Sequence, residues 1–333
     1  MPTRSTEAAG GSLGRRRFIA IAAAFAGAGL APGGAKAAGE LHHWNGVALG
    51  ATASIQLLHP DPAEARRIID AAVLEIERLE AIFSLYRADS AVTALNRTGR
   101  LAAPPLELVE LLALAREVSR ASGGAFDVTV QPLWLRYRDH FAAAGEAPGA
   151  PDVSDLLPLV DWRGVGLEAG LIELGRPGMA ITLNGIAQGY VTDRVAELLR
   201  RNGVDDVLLD LGEARGLGQG PDGRPWRIGI ADPADPARVL ARLDGSGSAV
   251  ATSGGYGSVF DHDRRFGHLI DPRDGRTAPV LRGTTVVAGD AALADAWSTA
   301  FALMGVDEVR SVASAIGGLG VYLSTSGEVT RLV

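Results

Sequence analysis

Between Thr182 and Gly212 the chain reads TLNGIAQGYVTDRVAELLRRNGVDDVLLDLG, and no other stretch constrains the fold as much. The apolar run from Met179 to Leu183 leads into a turn at Asn184-Gly185, and a second run from Val207 to Leu211 stops at Gly212. Between them Ile186, Tyr190, Val195, Leu198 and Leu199 recur at helical spacing, while Asp193, Arg194, Glu197 and Arg200 take the other face. Asn202-Gly203 is a helix stop, because glycine reaches φ > 0 without a Cβ clash. The pattern predicts a strand, a tight turn, an amphipathic helix and a return strand. Such a turn leaves backbone groups unpaired at a helix N-terminus, where phosphates and cations are held. A buried βα unit with no chemistry fits the stretch equally well.

The remaining chain is long enough for a substantial core in one large domain or two joined ones, and its 47% hydrophobic and 21% charged content is that of a globular protein. Residues 1–37 read differently. Arg15-Arg16-Arg17-Phe18-Ile19, an apolar run to Ala31 and then Ala35-Lys36-Ala37 have the layout of an export signal cut after Ala37. The Arg-Arg-x-Phe-Ile order fits the twin-arginine type, and the apolar run is too short for a membrane span. This predicts a mature chain, residues 38–333, that is soluble in the periplasm with no anchor. Cysteine is absent, which excludes a disulfide, a thiolate nucleophile and a thiolate metal site. Lys36 is the only lysine, so the mature chain has neither a P-loop lysine nor a Schiff base. Cleavage removes Arg4, Arg15, Arg16, Arg17 and Lys36 against Glu7, a loss of four net positive charges that takes the balance from −7 to −11. A chain that acidic is a poor partner for nucleic acid.

Trp44 to Leu58 reads as one opening strand with a close backbone approach at Gly50. Asp61-Pro62 starts a helix to about Ile82, Ser90 caps a short one to Asn96, and Pro104-Pro105 opens another that ends near Ser122-Gly123-Gly124. Residues 140–162 read as a loop. Strands are expected at 212–216 and 226–230, joined by the turn Pro221-Asp222-Gly223, and at 249–253, before Pro272, and at 284–287. A helix from Ala291 to Met304 precedes a final hairpin around Ser326-Gly327. Strands and helices mix without strict alternation, which makes the fold class α+β.

Three features carry chemistry. Asp295 and Thr299 stand four apart, on one face of the predicted 291–304 helix. Two oxygen donors on adjacent turns suit a hard cation such as Mg²⁺ or Ca²⁺. Equally, the Asp can cap a neighbouring helix while the Thr bonds its own i−4 carbonyl. His268 precedes the sharp Asp271-Pro272 turn, where a side chain faces either a cleft as a proton acceptor or the core as a satisfied histidine. No H-x-x-x-H spacing points to zinc. Gly124-Ala125-Phe126-Asp127 presents an aromatic and a carboxylate from a glycine turn, and Tyr86 leaves a helix where it can stack on a planar ring.

Taken in order, LGATASI (49–55), FSLYRADSAVTALN (83–96), GGAFDVTVQPLW (123–134), TLNGIAQGYVTDRVAELL (182–199), WRIGIADP (226–233), AVATSGGY (249–256), GHLIDPRDGRTA (267–278) and DAALADAWSTAFALMG (290–305) resemble the ApbE family of FAD:protein FMN transferases. The resemblance spans nearly all of residues 38–333. It implies a single α+β domain of mixed sheets and packed helices, related to the T-fold. It also implies the activity: transfer of the FMN half of FAD to a Thr or Ser hydroxyl of a partner protein, with Mg²⁺ and release of AMP.

Residue by residue, the resemblance assigns the cation to a carbonyl of Gly185 with Asp295 and Thr299, and the general base to His268. It assigns FAD contacts to Leu49, Tyr86, Ala125, Phe126, Asp127, Gln188 and Leu269, with Arg273 nearby. Leu49-Gly50-Ala51 stands where Met-Gly-Thr is usual, Asn184 replaces a frequent Gly, Gln188 a frequent Lys, and Leu211-Gly212-Glu213 a Gly-Gly-acid run. The signal and length resemble exported members, NosX-type accessory proteins among them, whose acceptors are exported or membrane-bound electron-transfer proteins. Two other readings share these residues: a FAD pyrophosphatase giving FMN and AMP, and a non-catalytic periplasmic flavin carrier.

Overall fold

The computed structural model describes residues 39–143, 149–168 and 170–333; the export signal read in residues 1–37 lies outside them. The chain opens with β1 (Glu40–Ala48) and β2 (Ala51–His59), an antiparallel hairpin where the sequence predicts one strand. Leu49 and Gly50 adopt φ of 48° and 84° and fold the run back on itself. Two-residue hairpin turns with positive φ match the twist of the flanking strands.

Helix α1 (Pro62–Phe83) begins as predicted: the Asp61 carboxylate accepts from the amides of Ala63 and Glu64, and proline occupies the first turn. Ser90 caps α2 (Ala91–Thr98) by accepting from the Thr93 amide, and α3 (Leu106–Ala121) follows Pro105. A small antiparallel sheet of β3 (Arg100–Ala102), β4 (Val165–Glu168) and β5 (Leu171–Leu174) lies outside the expectation. Helix α4 (Gln131–Ala143) falls between β3 and β4 in the chain and runs into the stretch read as a loop.

The centre of the fold is an eight-stranded sheet. Its later strands are β6 (Val207–Asp210), β7 (Ala214–Leu217), β10 (Ala249–Gly254), β11 (Gly283–Ala288), β12 (Gly320–Thr325) and β13 (Glu328–Arg331). The order is β1-β2-β6-β7-β10-β11-β12-β13, and every neighbour is antiparallel. Alternation along the strands divides the core. Val207, Leu209, Ala249, Ala251, Val286 and Ala288 face a helical layer that includes α1, α5 (Ala187–Arg201) and α6 (Ala291–Ala302). Leu208, Val250 and Val287 face the other way, onto Trp226 and Ile228 beside the hairpin of β8 (Arg227–Ala231) and β9 (Val239–Asp244). Thus β7 and β8, read as neighbours across one turn, belong to different sheets. Helix α6 ends at Ala302 with Leu303 as its C-cap, and Gly305, expected to close it, instead starts α7 (Val306–Ile316), a helix the sequence reading left out.

Two predicted strands are extended chain without a ladder. At 179–183 the pairing comes from a side chain: Asn96 accepts from the Ile181 amide at 2.7 Å and donates to its carbonyl at 2.8 Å. Around His268 only isolated bridges form, Val259 to Gly267 and Ile270 to Thr277. That segment is held instead by a separate aromatic cluster, in which Tyr137 and Trp134 of α4 pack against Phe260 and Phe266. The Tyr137 hydroxyl donates to Gly275 O at 2.8 Å.

Candidate active site

Helices α5 and α6 meet at contact distance. A Cβ on Gly189 would lie 2.2 Å from Ala291 O, so only glycine allows the approach. Each helix then caps the other. Asp193 of α5 accepts from the amides of Ala291 and Ala292, both at 2.9 Å, at the start of α6. Asp290, at the N-cap position itself, makes no capping bond. In return Asp295 of α6 accepts from the Gly189 amide at 3.1 Å, in the first turn of α5. The sequence reading put Asp193 on the solvent face of its helix. At Asp193 that face meets α6, and the Asp193 carboxylate also pairs with the buried Arg215 guanidinium.

For Asp295, helix capping and facing a cleft turn out to be compatible. One carboxylate oxygen takes the Gly189 amide, and the residue lines a cavity of about 370 Å³. Thr299 turns its hydroxyl toward Ser253 of β10 at 3.1 Å, while Ser298 makes the bond within the helix, to Asp295 O. A Cβ on Gly185 would sit 2.9 Å from Thr299 Oγ1, so the Asn184-Gly185 turn lies against α6. The Asp295 carboxylate and the Thr299 hydroxyl beside the Gly185 turn offer oxygen donors, which suit a hard cation. Among the described residues no three His, Asp or Glu side chains cluster as metal ligands. A cation at this place would complete its shell from backbone, water and substrate oxygens.

The cavity is electrostatically one-sided. Asp210, Glu213 and Asp295 line it, and among the described residues no Arg or Lys does. Burial pushes the Asp295 carboxyl up to about 7, with Asp193 adding to the effect, and pushes Asp210 up to about 6. Burial first, then Asp295 and Asp210, also raises Glu213 well above the usual range. These folded-state pKa values exceed the unfolded ones, so the carboxyls favour folding most below about pH 4 and lose that contribution as pH rises through about 6 to 7. Metal-free protein should therefore melt several degrees lower at about pH 8 than at about pH 5, and MgCl₂ should offset the loss. Scanning calorimetry in EDTA checks this; a melting temperature that is level or rises with pH would contradict it.

His268 lines the same cavity. Its Nδ1 lies 3.0 Å from Ser258 O. A carbonyl only accepts, so Nδ1 carries the hydrogen and Nε2 keeps a lone pair. Burial holds the imidazole pKa below its ordinary 6.5, which leaves the ring neutral at pH 7. Leu49, Tyr86, Gln188 and Leu269 also line the cavity. Leu49 gets there through its strained turn, whose amide donates to Glu80 of α1. Tyr86 bonds the side chain of Asn184 across the mouth.

Ala125, Phe126 and Asp127 lie outside the lining, buried behind the Gly185 turn. A Phe126 ring carbon lies 3.3 Å from the place a Gly185 Cβ would take. Both Asp127 oxygens serve the local backbone, accepting from the Thr129 amide and hydroxyl and from the Trp162 amide. Arg273 is not among the lining residues; it is engaged by Asp271, Glu308 and the carbonyl of Leu303, which does line the cavity. Sequence reasoning missed Ser253, Asp210 and Glu213; Asp210 ends an apolar strand and Glu213 follows the glycine after it, the one signal that could have found them.

The family model described as "ApbE family" matches residues 49–323. A FAD:protein FMN transferase of Klebsiella pneumoniae is 30% identical over 81% of this chain and 84% of its own length. A second, of Treponema pallidum, is 31% identical over 74% of each. The solved flavin transferase ApbE from Vibrio cholerae superposes with a TM-score of 0.75 at 25% identity, covering 88% of this chain and 96% of that one.

Proposed function

The chain belongs to the ApbE family, and on that premise we propose that it transfers the FMN half of FAD to a Thr or Ser hydroxyl of a partner protein and releases AMP. One observation carries this reading: a single cavity joins Gly185, Asp295 and Thr299 to a neutral histidine with a free Nε2, and among the described residues no Arg or Lys lines it. A pyrophosphate is strongly anionic, and a cavity lined by carboxylates repels it unless a cation intervenes. In this reading Asp295, Thr299 and the Gly185 carbonyl hold Mg²⁺. The ion supplies charge neutralisation at the pyrophosphate.

The protein's own residues do the rest. Leu49, Tyr86, Gln188 and Leu269 orient FAD, while Ala125, Phe126 and Asp127 support the Gly185 turn from behind. His268 Nε2 takes the proton from the acceptor hydroxyl as its oxygen attacks the phosphorus of the FMN half. The bond from that phosphorus to the bridging oxygen breaks, and AMP leaves. Ser258 O, holding Nδ1–H, fixes the tautomer this requires.

The acceptor in this reading is an exported or membrane-bound electron-transfer protein, and export follows from the signal read in residues 1–37. Among the described residues no helix is long and apolar enough to cross a membrane. The test is to incubate the protein with FAD, MgCl₂ and a candidate acceptor's flavin-accepting peptide, then seek FMN on its Thr by mass spectrometry. An adduct with matching AMP is expected. AMP and free FMN without an adduct would make the protein a FAD pyrophosphatase, and bound flavin without turnover would make it a carrier.

A further inference from the structure

The mutual capping of α5 and α6 forms a closed ring. Asp193 reaches Ala291 and Ala292, and Asp295, one turn further along α6, reaches back to Gly189, one turn before Asp193. Sliding or rotating α6 along α5 strains both ends of this ring at once. The same two helices carry the proposed cation donors: Asp295 and Thr299 on α6, and Gly185 in the turn that enters α5. Magnesium binds oxygen at about 2.1 Å in a strict geometry, so donors on two elements need a fixed register between those elements. The sheet supplies part of it: Ser253 of β10 bonds Ser298 and Thr299 of α6, while neighbours such as Ala249 and Ala251 are apolar and impose no polar geometry.

An ordinary helix start uses its own N-cap residue. Here Asp290 occupies that position and makes no capping bond, while the work falls to a residue on a different helix. Arg215, buried beneath, holds the Asp193 carboxylate, and Asp193 does not line the cavity. We propose that Asp193, backed by Arg215, is a positioning residue that sets the distance between the Gly185 carbonyl and the Asp295–Thr299 pair and thereby the cation affinity. This rests on the cation reading given above.

The test compares Asp193→Asn with Gly189→Ala. The first keeps the side-chain size but leaves one acceptor oxygen for two amides. The second leaves Asp193 intact and forces the helices apart, because its Cβ would meet Ala291 O at 2.2 Å. Mg²⁺ affinity is measured by titration calorimetry on FAD-loaded protein, with circular dichroism and FAD affinity as checks on the fold. Both variants should bind Mg²⁺ about tenfold more weakly or worse, the scale of outer-shell losses at metal sites. Half-saturating Mg²⁺ for AMP release should rise in step, with turnover at saturating Mg²⁺ within about threefold of the parent.

A merely structural cap would lower the melting temperature and leave Mg²⁺ affinity alone, and that result would overturn the proposal. So would a fall in turnover at unchanged Mg²⁺ affinity. If one variant does not fold, the other gives the same reading by an independent route. Failure of the parent protein to bind Mg²⁺ would refute the cation site itself, a result distinct from the other two.

Discussion

Replacing Asp295 with alanine should remove Mg²⁺-dependent release of AMP, lowering turnover by about a thousandfold, or roughly 4 kcal/mol of transition-state stabilisation. Two losses combine. The proposed cation site loses a carboxylate, and the Gly189 amide in the first turn of α5 loses its acceptor. The proposed partners Thr299 and Gly185 are neutral donors and hold a divalent ion weakly alone. Asp295→Asn separates the two losses, because an amide oxygen still accepts from Gly189 while the charge is gone. Coupled AMP release against MgCl₂ concentration is the measurement. Full activity of the alanine variant in EDTA-treated buffer would show that the reaction does not depend on this carboxylate.

His268→Ala should slow transfer by about a hundred- to ten-thousandfold, the range for loss of a positioned general base. FAD affinity should stay within about threefold, because the loss falls on a proton that moves only in the transition state. The parent enzyme should show an acid limb, with rate falling as the ring takes a proton at Nε2. Burial lowers this pKa, so the limb lies below pH 6.5 and activity is level above it. The variant should lose that limb. Rate profiles between about pH 5 and pH 8, with FAD binding followed by fluorescence, test both parts. A large fall in FAD affinity would instead make His268 a ligand contact.

Much of the fold was legible because local chemistry fixes it. Asp61-Pro62 and Ser90 cap helices where their side chains predict, and Gly203 and Gly327 turn the chain with φ of 76° and 82°. The failures share a cause, which is that the deciding partner is distant in sequence. Amphipathic reading assumes water against a polar helix face, so Asp193 was assigned to solvent when α6 supplies two amides instead. Residues 179–183 read as a strand, yet their partner is the Asn96 side chain, 85 residues away. The β1–β2 turn was hidden because leucine rarely takes positive φ, and the strands of the small sheet are only three or four residues long.

At the site, the pairing of Asp295 with Thr299 was readable from spacing alone. The convergence of Gly185, His268 and that pair on one cavity was not, because no local pattern brings together segments so far apart in the sequence. Asp127 illustrates the limit from the other side. A carboxylate on a glycine turn looks available, but its acceptors are taken up by the Thr129 and Trp162 amides.

The aromatic cluster of Trp134, Tyr137, Phe141, Phe260 and Phe266 gives the His268 segment a hydrophobic support separate from the main core. Changes in groups that share no partners add nearly independently. Exchanges of rings within this cluster can therefore reshape the cavity wall at His268 with little disturbance of the α5–α6 pair. Reshaping that wall and preserving the register of α5 and α6 become separate evolutionary problems, each solved on its own part of one domain.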